Sequence, residues 1–295
     1  MLKLRPWIDE SKLDWDSLSK NPNAIDLLEK NLDKINWDDL STNINAIHLL
    51  EKNPDKINWF ELSGNPNAIH LLEKNQDKIN WFKLSSNPNA IHLLEKYQEK
   101  ISWLHISANP NAIHLIEKNL DKISWVVLTT NSNAIYLLEK NLDRINWYGL
   151  SSNPNSIPLL EKYTRKINWL LLSTNPSAIH ILEKNPEKIN WWRLSTNPNA
   201  IHLLEKNLDK LHFPETNYLN LSSNPNAIHL LEKYPDKINW FELSNNPAIF
   251  ELDYQALKSR CAIYKEELIQ EALKPSRIFK YLDHGMDLED LLENM

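Results

Sequence analysis

The chain has 295 residues, a net charge of −6 and charged side chains at 24% of positions, so it is long enough for two ordinary domains and shows no bias toward a polyanionic partner. Most of the negative balance falls after residue 247, where ten acidic residues oppose six basic ones. A single cysteine, Cys261, excludes an intrachain disulfide and favours a reducing compartment, and apolar runs of only a few residues leave neither a secretory signal nor a membrane span to be expected.

From the N-terminus, residues 1–20 read as a cap carrying Leu2, Leu4, Trp7 and Ile8, followed by a half-repeat, Leu13 to Lys20. A 22-residue phrase, N-P-N-A-I-H-L-L-E-K-N-x-D-K-I-N-W-x-x-L-S-x, then recurs ten times between Asn21 and Trp240. The tenth copy starts at Asn224 after a five-residue insertion, Pro214 to Tyr218, and a degenerate copy starts at Asn246. A fixed period of this size is the signature of a solenoid.

Each copy predicts two helices. Asn21 caps the first and Pro22 suits its opening position. Ala24, Ile25, Leu27 and Leu28 share one arc, with position 26 (His in most copies) opposite. Asn31 fits a left-handed residue after the helix. Asn36 caps a shorter helix whose Trp37 and Leu40 share a face. Pro158, in place of the usual His, predicts a delayed or kinked helix start. Tyr97, Tyr163 and Tyr234 replace the helix-ending Asn. With helices about 8–10 Å apart, ten stacked copies predict a curved rod on the order of 80–100 Å long, with polar caps at its ends. The expected fold is therefore all-α. It is an α-solenoid of about ten two-helix repeats over 21–250, with an N-terminal cap and half-repeat (1–20) and a C-terminal helical cap (251–295). In that cap a helix from about Asp253 to Leu273 is stopped by Pro275, a second runs to about Asp283, and an acidic turn ends at Leu292.

The unit K-I-N-W-x-x-L-S-x-N-P-N-A-I-H-L-L-E-K-N, seen at Lys56–Asn75, resembles repeat proteins abundant in giant viruses of protists (Mimivirus-like). The tail from Glu267 to Leu291 resembles a C-terminal module of many such proteins, with Lys274 where a His commonly precedes the Pro. The resemblance covers nearly the whole chain. It implies a viral origin and an α-solenoid and carries no activity with it. The expected setting is the cytoplasm of an infected host cell or a virion, without secretion.

Seven histidines occupy one register: His48, His70, His92, His114, His180, His202 and His229. Metal ligands must come within about 2.0–2.1 Å of one ion, whereas equivalent atoms of stacked repeats stand about 8–10 Å apart. A solvated or hydrogen-bonded surface ladder is the favoured reading, ahead of a pH-sensitive contact surface and of metal. The repeated Trp residues read as core plugs between the two helices of a copy rather than base-stacking platforms, because a reading surface should vary between copies. Glu-Lys pairs in every copy cancel at a distance, which argues against phosphate tracking. Cys261, in a helical stretch beside the apolar Ala262 and Ile263 and with no His near it in sequence, reads as a buried inert thiol. No phosphate loop, metal spacing or hydrolase elbow is present in the sequence, so neither enzyme chemistry nor a cofactor is expected.

Copies differ most just after the Trp. The candidate partner-binding residues are Phe60, Phe82, Leu104, Tyr148, Leu170, Trp192, Arg193 and Phe241, with Pro214, Glu215 and Tyr218 of the insertion. Two readings stay open for the post-Trp residues: padding between short helices, or a groove with aromatic anchors. The functional expectation is a non-enzymatic protein–protein scaffold. The alternative is a self-assembling component of a virion or viral factory, and a nucleic-acid-binding repeat protein is a weaker third.

Overall fold

The computed structural model describes residues 1–211 and 216–278. Each unit is a short helix opened by Trp, a tight Asn-Pro-Asn-Ala turn, a helix opened by Ile, and a 3-10 turn. In one copy these are Trp37–Leu40, then Ile47–Lys52 and Pro54–Lys56. The Trp helix starts where Asn36 caps it: its side-chain Oδ1 accepts from the backbone N–H groups of Asp38 and Asp39 at 3.1 Å each. Leu40, Ala46 and Leu50 are fully buried between successive units, with equivalent residues repeating along the array, so no unit holds a core of its own. The fold is an all-α repeat solenoid.

Two polar ladders run through that core. Asn43, 2% exposed, donates both Nδ2 hydrogens to the preceding unit, to the carbonyls of Ser19 (3.0 Å) and Asn21 (2.9 Å). Its Oδ1 accepts from the N–H of Asn45 at 3.0 Å. Ser41 Oγ donates to its own Trp37 carbonyl at 2.9 Å and accepts from the N–H of Asn58 in the next unit at 3.0 Å. Asn and Ser are therefore retained in the core because they satisfy backbone groups that stacking would otherwise strand.

The ladders have no free end. Asn21 Nδ2 donates to the carbonyls of Ser244 (2.9 Å) and Asn246 (3.1 Å). Asn23 Nδ2 reaches Pro247 O at 2.9 Å, and the N–H of Asp14 donates to Ser244 Oγ at 2.8 Å. These are the contacts that recur between neighbours along the array, made here between the first unit and the last. The body formed by residues 4–250 is thus a closed ring, not the open rod that repeat counting predicts. Among the described residues the ring contains eleven Trp-register helices but ten Ile helices.

The eleventh unit is split between the two ends of the sequence. Its first part is Trp240–Asn245 and the 3-10 turn Pro247–Ile249; its last part is the 3-10 turn Glu10–Lys12, which occupies the register of Leu32–Lys34. Where the Ile helix would be, Arg5 bonds across the seam, its N–H to Ile249 O (2.9 Å) and its Nε to Ala248 O (2.7 Å). Strands β1 (Leu2–Leu4) and β2 (Phe250–Leu252) pair as a two-stranded sheet. The half-repeat at Leu13–Lys20 is therefore a full participant: its helix, Trp15–Lys20, packs against Trp37–Leu40 on one side and Trp240–Asn245 on the other.

Two local expectations are corrected. Asn31 and Asn53 are not left-handed: their φ values are −136° and −131°. The helix carbonyls are satisfied instead by the side chain, Asn53 Nδ2 donating to Leu49 O at 2.9 Å, so no positive φ is needed and Tyr97, Tyr163 and Tyr234 fit the same backbone (φ −122°, −119° and −130°). Pro158 does not delay its helix, which runs Ile157–Lys162 in the common register, because it lies in the first turn where no N–H is required. The insertion leaves the ladder intact, Asn224 Nδ2 still reaching Ser195 O (2.8 Å) and Asn197 O (3.1 Å).

The second compact unit comprises residues 1–3 and the chain from Glu251 onward. Its helix, Tyr254–Ala272, is capped by Asp253, whose Oδ1 accepts from the N–H of Ala256 at 3.1 Å. Cys261 is exposed on this helix rather than buried, since the helix turns most of its residues to solvent. The second helix's end near Asp283 and the acidic turn lie outside the described residues.

Candidate functional site

The residue after each Trp is placed by the Trp helix itself. With the Trp half-buried and the following Leu and Ser buried, the intervening first position is left facing out. The structure exposes Phe60 (49%), Phe82 (60%), Leu104 (54%), Tyr148 (54%), Phe241 (58%) and Trp192 (36%), and with them Val126 (59%), which shares the register. Leu170 is half-buried. Two consecutive units carry acids there instead, and Asp16 and Asp38 each accept from the next unit's capping Asn, Asn36 Nδ2 at 3.0 Å and Asn58 Nδ2 at 2.9 Å. Because the ring closes, this register runs round it as a band, which among the described residues is apolar over most of its circuit and acidic over one short arc.

The neighbouring position interleaves with it. Lys83 Nζ lies 5.0 Å from the Phe60 ring centroid and 2.9 Å from Glu61 Oε2, and His105 packs edge-on to Phe82 at 5.8 Å. Arg193 stacks on Trp192 at 4.4 Å, and its Nε is buried without a hydrogen-bond partner. Pro214 and Glu215 lie outside the described residues. Tyr218 lies in the helix Thr216–Ser223, in the Trp register.

The histidines form a ladder between units rather than along one helix. Each Nε2 meets the Glu of the preceding unit: His48 to Glu29 (2.9 Å), His70 to Glu51, His92 to Glu73 and His114 to Glu95 (2.8 Å each), His180 to Glu161 (3.0 Å), His202 to Glu183 (2.9 Å) and His229 to Glu205 (2.8 Å). Tyr136 takes the same place with its hydroxyl on Glu117, and that carboxylate pushes the phenol up to about 12. The 19-residue offset joining His48 to Glu29 is one repeat less about one helical turn, a signal present in the sequence but hidden when each His is set against its own helix.

The Trp rings are only half-buried, and their faces are occupied. Lys34 lies over Trp15 (4.4 Å), Lys78 over Trp59 (4.6 Å), Arg144 over Trp125 (5.1 Å) and, across the seam, Lys12 over Trp240 (5.2 Å). Each such pair joins a unit to the next, so the Lys or Arg that ends these turns serves packing as well as solubility. Among the described residues no helix is long and apolar enough to cross a membrane. Comparison with protein-family models, curated proteins and solved structures returns no match.

Proposed function

We propose that the ring is a non-enzymatic scaffold that binds another protein through the band that follows the Trp residues. The observation that carries this reading is the alignment, at one register, of Phe60, Phe82, Leu104, Val126, Tyr148 and Phe241, each about half or more exposed. Aligned exposed apolar and aromatic side chains are the anchors by which protein surfaces bind partners. The arc at Asp16 and Asp38 breaks the symmetry of the band and gives a partner an orientation. The setting proposed with it is the infected cell or virion implied by the resemblance of the repeat.

A second reading, self-assembly, draws on the closure of the band: every copy presents the same apolar circuit to every other. Single-stranded nucleic acid is less well supported, since the Trp faces it would stack on carry cations of the neighbouring unit. Sedimentation at rising concentration and pull-down from native cells after nuclease treatment, run on the intact protein and on a Phe60→Ser/Phe82→Ser/Phe241→Ser variant, separate the readings. A discrete heterologous protein lost in the variant supports the scaffold; concentration-dependent assembly lost in the variant supports self-association. Unchanged partner capture by the variant would sink the band as the binding surface.

A further inference from the structure

The 3-10 turns carry an acid followed by a base in unit after unit: Asp33-Lys34, Asp55-Lys56, Asp77-Lys78, Glu99-Lys100, Asp143-Arg144, Glu187-Lys188. Two turns depart from this: Glu10–Lys12 has the neutral Ser11 at the acid position, and only Thr164–Lys166, among the described turns, has a base there. In Thr164–Lys166 the acid is replaced by Arg165, and the preceding position, which holds Leu32, Pro54, Gln76 or Leu142 elsewhere, holds the short Thr164. The two changes coincide with a cleft of about 420 Å³ between this turn and the next unit, lined by Thr164, Arg165, Trp169, Ile181, Asn185 and Lys188 among others. A volume of that size suits a small organic ligand.

The walls of the cleft differ in chemistry. Ile181, 8% exposed, and the half-buried Trp169 supply an apolar side. Arg165 and Lys188 supply charge, with the Lys188 ammonium held 4.6 Å from the centroid of the Trp169 ring. The acid nearest in sequence on the preceding helix, Glu161, is engaged by His180 at 3.0 Å, and Glu187 is not among the lining residues. The charged residues that line the cleft, Arg165 and Lys188, are both basic. A guanidinium presents paired N–H donors matched to an oxyanion, and an ammonium beside it adds a point charge.

We propose that this cleft binds a small anion in which a phosphate-type oxyanion is attached to an apolar ring, the oxyanion between Arg165 and Lys188 and the apolar ring against Ile181. It is a site separate from the exposed band and does not depend on that reading. The array itself supplies the controls: Arg165→Asp restores the acid found at this register elsewhere, and Thr164→Leu restores the bulk, so both variants carry residues that this fold already accommodates.

The test is calorimetric titration of the full chain at low salt with phenyl phosphate, and separately with inorganic phosphate and with phenol. Phenyl phosphate is expected to bind about tenfold or more tightly than either fragment, and each substitution is expected to weaken it about tenfold or more. Absence of phenyl phosphate binding to the native protein would overturn the proposal. So would undiminished binding by Arg165→Asp. Loss in Arg165→Asp with full retention in Thr164→Leu would also overturn it, since that pattern belongs to diffuse surface charge and not to a cleft.

Discussion

A buried asparagine is costly unless every polar atom it carries is used, and the ladder Asn uses all of them. Asn109, fully buried, donates to Ser85 O (3.1 Å) and Asn87 O (2.9 Å) and accepts from the N–H of Asn111 (3.0 Å). Asn109→Ala leaves the Ser85 carbonyl and the Asn111 N–H without their partner while Asn87 O keeps the Ala90 N–H, so it should destabilise the ring by about 1–3 kcal/mol, read as a lower urea midpoint with an unchanged slope. The His–Glu rungs are different in kind: their side chains are about half exposed, and removing one, as in His92→Ala, should cost no more than about 1 kcal/mol. Tyr136 gives a titration signature of its own. Its pKa is raised to about 12 by the Glu117 carboxylate, so the neutral phenol's bond is fully present below the ordinary tyrosine value of about 10 and is lost as pH rises through the folded value. Phenolate absorbance should show one late-titrating tyrosine in the native protein, absent in Tyr136→Phe. The capping roles of Asn36 and Asn58 were legible in the sequence, but the second role of Asn was not. An Asn in a 22-residue consensus suits a cap, a left-handed turn or a buried donor pair equally, and only the proximity of the preceding unit's carbonyls selects among them.

At the level of elements, what joins units matters more than what forms them. Helices of four to six residues such as Trp37–Leu40 and Ile47–Lys52 are too short to persist alone, and they exist because each is capped and stacked. The split unit is the place where this dependence can be tested. Removing residues 1–12 takes away the turn Glu10–Lys12, the Lys12–Trp240 contact and both Arg5 bonds. Hydrogen exchange should then lose protection in Trp15–Lys20 and in Trp240–Asn245 together, though they lie at opposite ends of the sequence, while units near Asn109 stay protected. Protection lost at only one of the two helices would contradict the closed seam. Cutting the chain after Asp253 should leave both helices protected. The sequence carried half of this seam in plain view, as the partial copies Leu13–Lys20 and Asn246–Phe250. That they complete one another depends on the curvature summed over every unit, a quantity that no single repeat encodes legibly.

For the whole ring, closure changes the statistics of unfolding. In an open array each unit is held by its neighbours except at the ends, which fray first. Here Asn21 and Ser244 are bonded although 223 residues apart, so every unit has two neighbours and opening the ring anywhere breaks two interfaces before any unit is free. The closing contacts are also among the least local in the molecule and should form late, since loop-closure entropy must be overcome before they contribute. Because the seam carries the Asn and Ser bonds that recur along the array, it can be moved. A circular permutant of residues 4–250, with its old ends joined by a short linker and new ends opened in an exposed 3-10 turn such as Pro54–Lys56, should fold with the same helix content and with native-like protection at the former seam. A permutant that unfolds at the old seam first would show that the termini hold the ring by some means other than the repeated bonds.

The split eleventh unit also bears on how such a molecule can change over generations. A linear stack accepts one more copy, or one fewer, at little cost. A ring whose last unit is shared between its two ends has a copy number that is locked: gain or loss of a whole repeat would force every junction to bend by a different angle or leave the halves unmatched. Variation is therefore channelled into places that do not alter the count, such as a few extra residues within one turn, an exchange at the outward register after the Trp, or a single reversed charge like Arg165.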